Sequence, residues 1–388
     1  MSDSLRLYRT IIEMIQDSRV RFHDMRCLVT FAWAIVGLLL EKSVHVSKWS
    51  VVRVGEAQAA SKQRQIVRWL KNARIVPSAI YRRLAHTVFR DWGGQKIYLA
   101  LDSSSLWDEF VIVRVALIYR GRALPLSWVI LKQQSTMVAF EKYKPILKEA
   151  AAILPQGCPV ILLADRGFDD NDLFCAARDL GWGFRIRLKK SIRVYRVNKP
   201  SLSVGRLMPA KGKALFLHKV WITDRQFGPV HLALAHVQTR NGYEEWAILS
   251  DDPTGLHTFD EYGLRFDLEE NFLDDKSAGF QLESGEIRDA QALARLGLIL
   301  ATATLYLVST GTAVVTLGLR TQIDTHWHRG LSYFQIGWRY IRHALAHSKG
   351  LFSFLWFEPG PDPFPVFASK RQAARPIAAL FELRLEIS

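Results

Sequence analysis

Cysteine is scarce in this chain. Cys27, Cys158 and Cys175 are the only three among 388 residues, with no CxxC pair and no Cys/His spacing suited to a metal. A disulfide framework and a zinc-finger fold are thereby excluded, and the three read as reduced, buried thiols of a cytosolic protein. Internal repeats and low-complexity tracts are absent, and nothing suggests wholesale disorder. The opening Met-Ser-Asp-Ser-Leu-Arg has no charged leader running into an apolar stretch and a cleavage site, so no secretory signal is expected. Long apolar runs are nearly absent as well. One exists, Leu296–Leu319, 24 uncharged residues and long enough to span a bilayer. It holds five Thr, one Ser and three Gly and lacks a polybasic flank, so it is read as buried core beneath a sheet, with no membrane expected. Cys27–Leu40 is too short to span.

Acidic residues are also in deficit, 37 against 52 Lys and Arg, for a net charge of +15. That balance favours a polyanionic partner, nucleic acid first. The excess is unevenly placed. Residues 1–96 hold 17 basic against 7 acidic residues and residues 189–260 hold 11 against 6, while the other two blocks are nearly neutral. The cationic surplus therefore lies outside the segments that carry the candidate catalytic acids.

Length and a 49% hydrophobic content imply two or three domains. Residues 1–95 read as helical, basic and DNA-binding. Within them, Ser61–Arg83 sets Lys62, Arg64, Arg68, Lys71, Arg74, Arg82 and Arg83 around Ile66, Val67, Trp69 and Leu70. A break at Asn72–Pro77 makes this a helix pair, either a helix-turn-helix-like reader of DNA or a basic bundle with non-specific affinity. Residues 96–189 change period to strands, with Ile97–Leu101 ending at Asp102 and Pro159–Ala164 ending at Asp165. Helices are expected over 138–153 and 170–180. This order predicts an α/β core whose acids sit at strand C-terminal ends. Residues 190–258, with short alternating segments, read as a β-rich insertion. Residues 259–350 read as the second part of the core, mostly helical. Residues 351–388 form a C-terminal segment, open to a dimer or DNA contact, with a final helix near 370–384.

The densest chemistry lies in Tyr262–Lys276. On a straight helix at about 100° per residue, Tyr262, Arg265, Glu269 and Lys276 share an arc of about 60°. Asp267, Glu270, Asp274 and Asp275 point elsewhere on that projection. One carboxylate ringed by two cations and a phenol suits a metal ligand acting on a phosphodiester; a charged surface helix is the plainer reading. Asp102, Asp165 and Glu269 would supply hard oxygen ligands to a pair of Mg²⁺ ions, although each Asp alone could simply cap a following helix. Asp108, Asp169 and Asp170 look like turn or cap residues. His326, His328 and His343 are read as surface or DNA-proximal residues and not as a metal cluster.

Three motifs carry a resemblance: Asp102 in Leu-Ala-Leu-Asp-Ser-Ser-Ser, Asp165 in Leu-Leu-Ala-Asp-Arg-Gly-Phe, and Tyr262-x2-Arg265-x3-Glu269-x6-Lys276. Together they resemble the DDE transposases of bacterial insertion sequences, most closely the insertion-sequence-4 group, over roughly residues 97–345. His328–Tyr333 and Gly337-Trp-Arg339 look like that group's C-terminal segment. The resemblance implies an RNase H-like core with a β-rich insertion between Asp165 and Glu269, and a triad of Asp102, Asp165 and Glu269 holding Mg²⁺, with Mn²⁺ able to substitute. It implies cut-and-paste transposition through hairpinned ends, by a homodimer on double-stranded DNA in a bacterial cytoplasm, associated with the nucleoid. Tyr262, Arg265 and Lys276 would hold terminal phosphates. Trp246, with Trp221 as second choice, would stack on a flipped base, or else Trp246 is core of the insertion's sheet; Arg166 would contact DNA or buttress Asp165, or form a structural salt bridge. Two other readings stand beside it: a host-adopted DNA-binding protein that has lost the chemistry, and a metal-dependent nuclease of the same fold.

Overall fold

In the computed structural model, residues 2–239, 242–324, 331–363 and 382–387 are described. Five helices come first: α1 (Asp3–Asp17), α2 (Met25–Glu41), α3 (Val46–Val52), α4 (Ala59–Lys71) and α5 (Pro77–Phe89). Asp24 caps α2 through the Arg26 amide, and Pro77 opens α5 at a position where no amide donor is needed. Three antiparallel strands follow, β1 (Ile97–Leu106), β2 (Phe110–Tyr119) and β3 (Arg122–Lys132), then α6 (Phe140–Ala151), β4 (Val160–Ala164), α7 (Asn171–Asp179) and β5 (Gly183–Arg187). Residues 193–250 add β6 (Arg193–Arg196), β7 (Lys199–Ser203), the short α8 (Val204–Leu207), β8 (Lys213–Ile222), β9 (Phe227–Thr239) and β10 (Gly242–Ser250). The chain continues through α9 (His257–Gly263), α10 (Phe266–Leu273), α11 (Ala290–Thr316), α12 (Arg320–Ile323) and α13 (Tyr333–Ala346), and β11 spans Glu382–Ile387.

The fold is mixed α/β around one large sheet in the order β3-β2-β1-β4-β5-β10-β9-β8-β6-β7, with β11 alongside β8. The strands of 193–250 extend the sheet through β10, which pairs antiparallel with β5. Strand β11 pairs parallel with β8. Most of the helix expected near 370–384 lies outside the described residues, and its last three residues belong to this strand. The alternation of Leu383, Leu385 and Ile387 is the period-2 signal that the helical reading passed over.

Strands β2 and β4 are buried almost throughout, as expected where both sheet faces are covered. Two neighbouring residues of β3 show how. Ser127 donates to the Ile146 carbonyl of α6, whereas Trp128 donates to the Ala294 carbonyl of α11. Successive strand residues point to opposite faces, so α6 and α11 cover opposite sides. Helix α11 contains the long apolar run. It is long and apolar enough to cross a membrane, yet that window is wholly buried inside the protein. Arg295 of α11 donates to the carbonyls of Leu70 and Ile75, tying the break between α4 and α5 to the core.

Of the thiols, Cys27 and Cys158 are half-buried but Cys175, on the outer side of α7, is exposed, which corrects the expectation that all three are buried. The segment His328–Gly330, with His326, lies outside the described residues. His343 packs edge-on against His347 on α13, with ring centroids 4.4 Å apart.

Helices α11 and α13 cross with no room for side chains: a Cβ on Gly337 would overlap the Leu307 carbonyl, and one on Gly311 the Tyr333 carbonyl. Gly337→Ala is therefore expected to destabilise the fold by about 1–3 kcal/mol through overpacking. Urea unfolding at neutral pH checks this, and an unchanged midpoint would mean that the crossing is loose.

Candidate active site

Asp102 and Asp165 are brought together by strand register. Strands β1 and β4 pair in parallel with Leu101 level with Ala164, so the next residue of each is an acid. Asp165 ends its strand, but β1 continues four residues past Asp102 to Leu106, paired there with β2 alone. Asp102 thus sits where the parallel pairing ends, inside a strand and not at its tip. Asp165 also caps the turn Arg166–Phe168, its Oδ1 accepting from the Gly167 amide at 2.8 Å. Arg166 is exposed on that turn. Asp170 caps α7, and Asp169 receives Lys189.

Glu269 reaches this pair through Arg265. The Arg265 guanidinium donates to Asp102 Oδ2 and to Glu269 Oε1, both at 2.6 Å. Arg265 is 5% exposed, and its guanidinium lies 4.7 Å from the Phe266 ring centroid and 5.9 Å from that of Tyr262. The Glu269 side chain is 52% exposed at the mouth of the site. The straight-helix projection of Tyr262–Lys276 is not kept. Helix α9 stops at Gly263, Leu264–Arg265 form a turn, α10 follows, and Asp274–Ala278 form a wide π-type turn. The end of α9 at Gly263 and the π-type turn at the buried acids 274–275 interrupt the regular spacing that the projection assumed.

Lys276 donates to the Ser105 carbonyl of β1 and lies 3.5 Å from Glu283. Tyr262 is fully buried, and its hydroxyl and the Nε of Arg265 lack hydrogen-bond partners among the described residues. Trp246 is 4% exposed, edge-on to Tyr262 with centroids 4.9 Å apart and stacked with Phe266. It therefore forms the apolar backing of Arg265, and no ring face is open to a flipped base in this conformation. This is the core reading of Trp246: it packs on one covered face of β10 with Ile248, while Ala247 and Leu249 pack on the other. Trp221 is half-buried on β8. Arg68 and Lys71 are exposed on α4 with Arg64, far along the chain from the acids.

Burial pushes the Asp102 carboxyl up to about 6; Arg265 pulls it down, while the charges of Asp165 and Glu269 push it further up. The carboxylates therefore repel one another in a partly dry site, as hard-cation ligands do before the cation arrives. The donor set fits Mg²⁺ or Mn²⁺ in kind. Among the described residues, however, no three acidic, His or Cys groups are gathered closely enough to hold an ion, because Arg265 stands between Asp102 and Glu269.

Sequence reading missed Arg114, on β2 directly opposite Asp102, and Arg122 on β3. Their signal was present: Arg114 is a lone charge in Phe-Val-Ile-Val-Arg-Val-Ala-Leu-Ile-Tyr, and a charge inside such a strand needs a buried partner.

No family model matches the chain, and no curated protein matches it. Among solved structures it is similar in shape to a piggyBac transposase in a synaptic complex with hairpin DNA, at 10% identity and a TM-score of 0.44, over 96% of this chain and 89% of that one. Likeness at that level leaves the chemistry to be argued from the residues above.

The shifted carboxyl yields a test. Asp102 holds its proton to about pH 6 in the fold, against 3.8 ordinarily, so its ionisation costs stability as pH rises through that window. The full cost is about 3 kcal/mol at most. Stability of the wild type should fall more between pH 4 and pH 7 than that of Asp102→Asn. Asp267 and Asp274, also raised by burial, titrate in both proteins and cancel in the difference. Parallel urea-unfolding profiles would show that Asp102 titrates normally.

Proposed function

We propose that this protein is a DDE transposase of the insertion-sequence-4 type, cutting DNA at inverted-repeat ends and joining the freed 3′-hydroxyls to target DNA. The observation that carries this reading is the register that sets Asp102 level with Asp165, with Glu269 joined to Asp102 through one guanidinium. The order β3-β2-β1-β4-β5, three antiparallel strands followed by two parallel ones, supports an RNase H-like core. The Tyr262-x2-Arg265-x3-Glu269-x6-Lys276 spacing supports the group.

Asp102, Asp165 and Glu269 would hold Mg²⁺, with Mn²⁺ as substitute; such ions activate water or a 3′-hydroxyl and stabilise the leaving oxyanion. The chain's own groups do the rest. Arg265 must release at least one carboxylate for both to face a cation, and a DNA phosphate is the anion suited to replace it. Lys276 can exchange the half-exposed Glu283 for a phosphate in the same way. Tyr262, being buried, supports Arg265 from behind. Arg64, Arg68 and Lys71 present a basic helix face to duplex DNA, whose phosphates supply affinity without sequence. Holding two ends together calls for two copies of the chain, with residues 351–388 as one place for that contact.

The test is incubation with a supercoiled plasmid carrying the element ends, with Mg²⁺ or with EDTA. Wild type should excise and join. Asp102→Asn, Asp165→Asn and Glu269→Gln should each lose more than about a hundredfold, beyond the loss typical of an outer-shell partner, with DNA affinity kept. Cutting without joining would favour the nuclease reading. Tight binding without cutting would favour the adopted DNA-binding protein.

A further inference from the structure

Helix α10 lies across the face of the sheet that carries Asp102, held by one polar residue from each of three adjacent strands. From β1, Asp102 receives Arg265, at the start of α10. From β2, the Arg114 guanidinium donates to Asn271 Oδ1 and to Asp275 Oδ2, each at 2.6 Å. From β3, Arg122 lies 3.1 Å from Asp274 and 3.7 Å from Glu270. Arg114 and Asp102 are paired across β1 and β2, so their side chains share a face, and the two ends of α10 are fixed to neighbouring points of one ladder.

The middle contact differs in kind from an ordinary surface pair. The side chains of Arg114 and Asp275 are 4% and 2% exposed, Asn271 is buried, and the guanidinium packs 4.8 Å from the Phe272 ring centroid. A fully buried ion pair adds little net stability, since desolvation offsets attraction, but it is intolerant of displacement. Its two-pronged geometry also fixes rotation of the helix about its own axis as well as its distance from the sheet. Glu269 lies two residues before Asn271, so that rotation decides where its carboxylate stands relative to Asp102.

We infer that Arg114 is a positioning residue for the proposed reaction: by clamping Asn271 and Asp275 it sets the azimuth of α10, and so holds Glu269 on Arg265 beside Asp102, the side from which it would reach a divalent cation shared with Asp102 and Asp165 once Arg265 lets go. This rests on the reading given under Proposed function. A lysine at 114 keeps the charge but reaches one partner only, so it separates charge from geometry.

Arg114→Lys should remain folded, and its amides over 266–278 should exchange with solvent about tenfold faster than in wild type, with β1 and β2 unchanged. It should need about tenfold or more Mn²⁺ for half-saturation, followed by electron paramagnetic resonance without DNA, and a matching rise in the Mg²⁺ needed for cleavage, at unchanged DNA affinity. Should the lysine variant fail to fold, the double variant Arg114→Met with Asp275→Leu replaces the pair by apolar groups, and the same measurements apply. Wild-type protection of 266–278, or wild-type metal dependence in a variant with a loosened helix, would overturn the inference. Wild type that neither binds Mn²⁺ nor cuts DNA would sink the transposase reading instead, while the exchange rates would still decide whether Arg114 holds the helix.

Discussion

Everything at the site depends on the parallel register of β1 and β4. Two strands more than sixty residues apart in sequence are paired so that their acids fall level, and no local interaction could produce that. The register is strongly specified because the paired segments are almost wholly buried: a slip of one residue would turn Leu99, Leu101 and Leu163 away from the positions their packing requires. Asp102 and Asp165 are therefore held by the apolar residues before them, and the polar site inherits its precision from a hydrophobic constraint.

Against that fixed pair, the third carboxylate is movable. Glu269 is half-exposed on a helix between two irregular turns, and it touches Asp102 only through a shared cation, Arg265. Arg265 is in turn packed on rings, Phe266 and Tyr262, with Trp246 behind them. The aromatic backing explains how a buried guanidinium can face two acids without a water shell, since its flat surfaces are covered and only its edges need partners. Burial works against the charge of Arg265, yet Tyr262, Asp102 and Glu269 together hold it more firmly protonated than usual.

Much of this was legible in the sequence, and the failures share a cause. The end of β4, the break before Pro77 and the buried character of the long apolar run could be read because each depends on a few neighbouring residues. The shape of 262–276 could not. Helical projection assumes an unbroken period, whereas Gly263 ends one helix and the buried Asp274 and Asp275 shape a wider turn. For Trp246, residue type and distance from Glu269 left base stacking and sheet core both open, since neither reports the face of a strand whose neighbours are set by long-range pairing. Arg114 was visible but unread, because its meaning lies in partners more than 150 positions away.

Helix α11 bears on how the chain is made. While it emerges from the ribosome it has the length and hydropathy of a segment that could enter a bilayer. Its neighbours β3, α2, α4 and α5 precede it in sequence, while α13 and the segment through Phe352 and Trp356 follow. Vectorial synthesis therefore delivers this apolar stretch to a groove part of whose wall has already been translated. The order of the elements shortens the interval in which that stretch stands bare, and the same elements rearranged by circular permutation would lose that protection even if the finished fold were identical.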